Sequence, residues 1–592
     1  MTTLTEALAT ALTRHADHAF GLMGNGNAHL IDALTKRGMP FSEVRHEVAT
    51  VASADAFTRV SGKLAIATST YGAGFTNTLT ALAEAAQART PLLLVVGDAP
   101  STGPRPWDID QELAAAALGV RTYVVGVDDV DYVVDRAVKA ARRRRSPVVI
   151  AIPYDQVTAV VPEPAAQGID LNDPSTMRDL AAATMSGAAA SHSAAASASY
   201  RPETEATSTE MTAAVQTLVA AERPVVLAGR GAWVSGAAPQ LAAIADQLGA
   251  LTASTALGRG IFANQAFDLG VTGGFGQEAA MQVLAGADAV LVVGASLNQF
   301  TMRFGELFGE GTKVVRVDID QVAPPKTAHH IDYQLLRGDA VQVLTSLSEG
   351  IAAAQTAPGT WREQVTGLEP GGALRSLDEG SRAEGGLCAD GRLDPRAVAA
   401  RLAEMLPEDR HVTSDGGHFI GWANMFWPVA SPDRMIMVGT AFQSIGLGFS
   451  TVAGVAAAAP DSTVVLSTGD GGGLMAIADL ETTIRTTNSC VVVVWNDGSY
   501  GAEVHLYGVM GLDEAPMRIP DVNFAGVASA LGATGVSVRS LADLDALDAW
   551  REAGAQGTIL LDCRISNSVV APYQREIQKV NGLEVGQGVS VK

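Results

Sequence analysis

An aspartate inside a glycine run, followed 27 residues later (497 − 470) by a second aspartate at the end of an apolar strand, constrains this chain more than any other feature. The run is Gly469-Asp470-Gly471-Gly472-Gly473. A helix-like stretch over 474–487 follows, then the apolar strand Cys490-Val491-Val492-Val493-Val494-Trp495 and the turn Asn496-Asp497-Gly498-Ser499-Tyr500-Gly501. With a strand predicted over 462–467, the order is strand, glycine turn, helix, strand, which is the context a phosphate motif requires. A Gly-Asp-Gly turn exposes backbone N–H groups where a helix begins, and that suits a diphosphate. If the helix and strand fold back as one unit, Asp470 and Asp497 meet. Two carboxylates, a backbone carbonyl and phosphate oxygens then describe a Mg²⁺ site. Gly-Asp-Gly alone is common in turns; the complete unit carries the inference.

A chain of 592 residues is too long for one core, so three or four domains are expected. Hydrophobic residues make up 47% and charged residues only 18%, as in a well-buried globular protein. The net charge of −22, from 41 basic and 63 acidic residues, argues against nucleic-acid and anionic-membrane partners. Cys388, Cys490 and Cys563 are too few and too scattered for a disulfide framework or a zinc site. The N-terminal residues lack the basic and apolar regions of a secretion signal, and no apolar run approaches the length of a membrane span. A cytoplasmic location is the expectation.

Short β-branched runs alternate with helical stretches throughout: Pro91–Val96, Pro147–Pro153, Arg223–Ala228, Ala289–Ala295 and Val314–Asp320 among them. Such runs indicate parallel sheets covered on both faces. The fold class is therefore α/β, with three doubly wound parallel-sheet domains. Boundaries are placed at 1–165, 210–350 and 391–570. An Ala/Ser-rich linker over 166–209 has no apolar period. A Gly-, Glu- and Arg-rich connector covers 351–390, and 571–592 reads as a polar tail or lid.

The whole chain resembles the thiamine-diphosphate (ThDP) dependent superfamily of acetolactate synthases, pyruvate decarboxylases and benzoylformate decarboxylases. The resemblance lies in separated stretches. Phe20-Gly21-Leu22-Met23-Gly24-Asn25 is similar to the family's first glycine loop, and Arg45-His46-Glu47-Val48-Ala49 to its His-Glu helix start. Tyr71-Gly72-Ala73-Gly74-Phe75-Thr76-Asn77 resembles a Gly-Pro-Gly-x-x-Asn turn, and Ser444-Ile445-Gly446-Leu447-Gly448 the loop that bends the cofactor. The resemblance implies a pyrimidine-binding, a central and a diphosphate-binding domain, in that order. It implies that Glu47 holds the pyrimidine N1′ so that the cofactor's own imino group deprotonates thiazolium C2. It implies that Ile445 wedges the rings together. Alone, Glu47 would read as a solvated glutamate favourable to a helix dipole, and Ile445 as a core residue.

Cofactor contacts implied in the same way are Asn77, Gly417, His418, Gln443, Ser444, Gly469, Gly471, Gly472 and Tyr500, with Asp470, Asp497 and Ser499 on the metal. Asp497 stands where the family usually has Asn, adding one charge to an equally good oxygen ligand. Paired histidines expected after Gly97-Asp98-Ala99-Pro100 are missing, and so is the Phe-Gln pair of acetolactate synthases. The stretch reads Ser101-Thr102-Gly103-Pro104-Arg105-Pro106-Trp107-Asp108. Asn25 replaces an acidic residue and Thr70 a histidine of particular relatives; with Tyr71 they are candidate catalytic groups. Glu503, six residues after Asp497, is a candidate proton donor or a surface glutamate. His505 is a further polar candidate.

The resemblance implies a 2-oxo acid decarboxylase or carboligase, with ligation favoured, acting with ThDP and Mg²⁺ on a small carbonyl substrate. A ThDP-dependent C–C lyase or hydrolase acting on a diketone or 2-hydroxy ketone is the alternative. A non-catalytic relative is disfavoured by the joint presence of Glu47, Asp470 and Asp497. FAD in the central domain stays open, since Gly229-Arg230-Gly231 after a strand is weak evidence. The implied assembly is a homodimer or tetramer sharing active sites between subunits.

Overall fold

A computed structural model describes residues 1–162, 206–354, 357–369, 372–374 and 384–583. The Ala/Ser-rich linker lies almost wholly outside the described residues. The strands of the described residues form three six-stranded sheets, and every strand pair within them is parallel. The apolar runs form buried strands, such as Val148–Pro153 along its whole length and Leu93–Asp98 and Ser489–Asn496 at all but one end residue, because helices cover both faces.

The first sheet runs Phe41–Glu43, His18–Gly21, Ala65–Ser69, Leu93–Asp98, Val148–Pro153, Arg121–Val124 in space. The third repeats that order with Met435–Met437, Arg410–Ser414, Thr463–Gly469, Ser489–Asn496, Gly557–Arg564, Thr534–Val538. The central sheet is different. Its order, counted by position within the domain, is 3-2-1-4-5-6, the dinucleotide-fold order. The outer two domains are thus topological copies of each other and the central one is not.

Helix Glu47–Ser61 of the first domain packs on helix Gly448–Ala458 of the third. Gly454 permits the approach, since a Cβ there would stand 1.9 Å from the Ser53 carbonyl oxygen. Ser53 Oγ donates to the Ser450 carbonyl at 2.7 Å. Beside them the buried Arg59 pairs with Asp55 and Glu84 and donates to the Met437 carbonyl. Glu84 in turn accepts from Phe442 N–H. One hydrophobic core runs through both outer domains, from Phe20 and Val51 to Phe449 and Val492.

One local expectation is revised. The stretch after the glycine turn is two short helices, Asp470–Met475 and Asp479–Thr486, not one. The polar C-terminal stretch contains helix Pro572–Val580, which starts with proline at its first position. Its residues Tyr573, Gln574 and Gln578 are buried. Arg303 of the central domain pairs with Glu576 on that helix at 2.6 Å, and the Tyr573 ring packs on Phe275 and Phe300.

Candidate active site

Strand Thr463–Gly469 delivers Asp470 to the first turn of a short helix, and strand Ser489–Asn496, its neighbour, delivers Asp497. Both aspartates are buried. Asp470 accepts from Gly471 N–H at 2.9 Å and from Gly498 N–H at 2.8 Å. Asp497 Oδ1 accepts from Ser499 N–H and Oγ, each at 2.9 Å. Burial raises the pKa of both, and for Asp470 the charge of Asp497 adds to the rise. Carboxylates in this state favour a bound cation, which removes their mutual repulsion. In the following turn the Asp497 carbonyl accepts from Arg392 and the Gly498 carbonyl from Ile519 N–H. The Ser499 carbonyl takes neither bond.

Glycines form the floor of this site because side chains would not fit. A Cβ on Gly472 would stand 2.5 Å from Asp415 Oδ2, and one on Gly471 2.6 Å from the Tyr500 ring. Gly471, Gly472 and Tyr500, with Gly416, Gly417, His418, Gln443, Ser444, Ile445 and Gly469, line a cavity of about 1300 Å³ that also reaches the central domain. Among the described residues the buried Ser444 hydroxyl has no partner, and Gln443 has φ of 58°. An unsatisfied hydroxyl on a glycine-lined floor beside two carboxylates fits a diphosphate and its cation.

Two residues of this site were not singled out from sequence. Asp415, fully buried at the end of strand Arg410–Ser414, accepts from Gly446 N–H at 3.1 Å and from Leu447 N–H at 3.3 Å, so it fixes the loop that carries Ile445. Burial raises its pKa to about 6. The aspartate preceding Gly416-Gly417 was the available signal. Tyr573 donates within reach of both the Gly417 and His418 carbonyls, at 3.1 and 3.0 Å. No local pattern announced it.

His418 Nε2 accepts from Ala571 N–H at 2.9 Å. The neutral ring therefore carries its proton on Nδ1. Burial, and the His505 ring 4.6 Å away, hold its pKa well below the ordinary value. Glu503 is exposed and lines the same cavity.

The first-domain candidates form a separate cluster and are not among the residues lining that cavity. Glu47 opens helix Glu47–Ser61, and its Oε2 accepts from Asn77 Nδ2 at 3.0 Å. Thr70 Oγ1 accepts from Gly26 N–H at 2.9 Å, and Asn25 Nδ2 donates to the Tyr71 hydroxyl at 3.1 Å. In the central domain Gly229 and Gly231 have a packing reason. A Cβ on either would stand within 2.9 Å of Gly294. They carry no argument for a flavin.

Adjacent parallel strands that deliver a buried carboxylate pair onto a glycine floor have the form of a diphosphate-cofactor site. Three family models match the chain: "Thiamine pyrophosphate enzyme, N-terminal TPP binding domain" over residues 2–118, the corresponding "central domain" over 211–347, and the "C-terminal TPP binding domain" over 415–563. The chain belongs to the thiamine-pyrophosphate enzyme superfamily. It is 27% identical to a sulfoacetaldehyde acetyltransferase of Rhodobacter capsulatus, over 97% of this chain and 96% of that protein. It is 28% identical to the acetolactate synthase isozyme 3 large subunit of Escherichia coli, over 88% and 86%. The solved 4-hydroxybenzoylformate decarboxylase of Rhodococcus jostii RHA1 superposes with a TM-score of 0.72 at 18% identity, covering 95% of this chain and 99% of that one. At that identity the likeness speaks for the fold. Among the described residues no helix is long and apolar enough to cross a membrane.

Proposed function

We propose that this enzyme uses ThDP and Mg²⁺ to cleave a 2-oxo acid next to its carbonyl, releasing carbon dioxide and passing the acyl unit to a second carbonyl in the manner of an acetolactate synthase. The observation that carries the reading is the buried Asp470–Asp497 pair on its glycine floor. The two carboxylates and the Ser499 carbonyl would hold the cation, with phosphate oxygens and water filling the remaining positions. Gly417, Ser444, Gly471 and the Nδ1–H of His418 would hold the diphosphate.

When bound, ThDP supplies a carbon nucleophile that adds to a carbonyl and accepts the electron pair of the broken C–C bond. Glu47 holds or releases a proton at its carboxyl group, oriented by the Asn77 amide. Ile445, fixed through Asp415, fills the space that would keep the cofactor folded. Glu503, on the cavity wall, would deliver a proton. FAD is no part of this reading.

Glu47 and the Asp470–Asp497 pair lie in separate clusters of one chain, which supports a homodimer or a dimer of dimers in which each chain completes its partner's site. The polar first-domain cluster, which lacks paired histidines, favours a second reading: a C–C lyase or hydrolase acting on a diketone or 2-hydroxy ketone. Carbon dioxide release from a panel of 2-oxo acids, dependent on added ThDP and Mg²⁺, tests the first. Cleavage of diketones without carbon dioxide would replace it with the second.

A further inference from the structure

A buried ion triad of the first domain grips the loop of the third domain that lines the cavity. Arg59 Nε and Nη2 donate to the two oxygens of Asp55 at 2.7 and 2.6 Å, and Nη2 also donates to Glu84 Oε1 at 3.0 Å. The Arg59 side chain is 2% exposed and both carboxylates 0%. The triad reaches the loop at two points. Arg59 Nη1 donates to the Met437 carbonyl at 2.7 Å, where edge strand Met435–Met437 ends, and Glu84 Oε2 accepts from Phe442 N–H at 2.7 Å. Beside these anchors, Thr440, Ala441, Gln443, Ser444 and Ile445 line the cavity.

Arg59 does not need Glu84 as a counter-ion. The Asp55 carboxylate, one helical turn back, already meets the guanidinium with both oxygens. A second carboxylate buried beside it costs free energy unless its own oxygens are satisfied. Among the described residues, the one bond Glu84 makes outside the triad runs to a backbone N–H 358 residues away. That N–H precedes Gln443, whose φ is 58°. Left-handed backbone at a residue other than glycine persists where its surroundings fix it. Ser444 N–H closes the turn on the Gly439 carbonyl at 2.9 Å. Beyond it Asp415 takes the Gly446 and Leu447 N–H groups. The loop is thus anchored at both ends and in the middle, and the Ser444 hydroxyl and Ile445 lie between anchors.

We infer that Arg59 and Glu84 are positioning residues for the diphosphate site: they preset the 438–445 loop of their own chain, so that the Ser444 hydroxyl and Ile445 stand in place before a cofactor arrives. This rests on the ThDP reading for what the loop receives, but not for the clamp itself. A segment fixed beforehand loses little freedom when a ligand settles on it, so the clamp lowers the ordering cost of binding. An ion triad that only joined the two domains would need no bond to the backbone in the middle of the loop.

The test is residue-resolved hydrogen exchange of the full chain without ThDP, paired with calorimetric ThDP binding in the presence of Mg²⁺. In the wild type the Phe442 amide should exchange at least about 100-fold below its free-peptide rate. Glu84→Gln should raise that rate about 10-fold or more and weaken ThDP binding about 10–100-fold. Leu8→Ala, which opens a cavity in a separate core of the same domain, should lower the melting temperature and move neither readout. A Phe442 amide exchanging at the free-peptide rate in the wild type would overturn the inference without any variant, so the test stands even where Glu84→Gln fails to fold. Wild-type ThDP affinity in Glu84→Gln, or equal weakening in Leu8→Ala, would also overturn it. Failure of the wild type to bind ThDP would strike the cofactor reading, and the Phe442 exchange rate would then judge the clamp alone.

Discussion

The side-chain amide of Asn77 donates to Glu47 Oε2 at 3.0 Å, so the first carboxylate of helix Glu47–Ser61 is held by the end of the glycine turn that follows the neighbouring strand. The bond occupies one carboxyl oxygen and leaves Oε1 to share a proton. Glu47→Gln should therefore bind ThDP normally yet lose turnover by about 10²–10⁴-fold, the usual effect of removing a proton-transfer partner. Exchange of the cofactor's C2 proton, followed by NMR, should slow in parallel. Unchanged exchange would remove Glu47 from the role.

At the other half-site, Asp470→Ala removes one of two carboxylates and should abolish Mg²⁺-dependent retention of ThDP. Asp497→Asn keeps an oxygen ligand and relieves the like-charge burden, so its effect should be mild. Calorimetric ThDP binding with and without Mg²⁺ measures both. Wild-type affinity in Asp470→Ala would show that the cation is held elsewhere.

The hydroxyl of Tyr573 serves the Gly417 and His418 carbonyls from the C-terminal helix. Tyr573→Phe leaves those buried acceptors short of a donor, which should lower stability by about 1–2 kcal/mol. The loss should appear as a lower melting temperature and as weaker ThDP binding, because the same backbone carries His418. A lower melting temperature with unaltered ThDP affinity would confine Tyr573 to a structural role.

Gly454 tests the contact between the outer domains. A methyl group there would overlap the Ser53 carbonyl oxygen. Gly454→Ala should destabilise the protein by about 1–3 kcal/mol, as overpacking does in tight interiors. Denaturant unfolding gives the value directly, and a neutral result would mean that the two helices separate more readily than their packing implies.

Much of the site was legible because its parts are local in sequence. The Asp470 turn, the strand after it and the Asp497 turn form one continuous unit, and buried parallel strands declare themselves as β-branched runs. Asp415 and Tyr573 were not legible in the same way. Each acts through backbone groups supplied by distant segments: Asp415 through Gly446 and Leu447, Tyr573 through Gly417 and His418. The polar residues of 571–592 hid an amphipathic helix whose buried face includes Tyr573, Gln574 and Gln578. Strand order leaves no trace in periodicity, so the different topology of the central domain could not be read from its strands. Glu84 gave no signal of its own, because the N–H it holds lies 358 residues further along the chain.

In the proposed assembly Glu47 of one chain works with Asp470 and Asp497 of another. Mixing inactive Glu47→Gln chains with inactive Asp470→Ala chains, under conditions of proven subunit exchange, tests it directly. Hybrid dimers should hold one intact site, with Glu47 from the Asp470→Ala chain and Asp470 from the Glu47→Gln chain, and ThDP-dependent activity should return. No recovery despite exchange, or a fully active monomer in sedimentation, would contradict it.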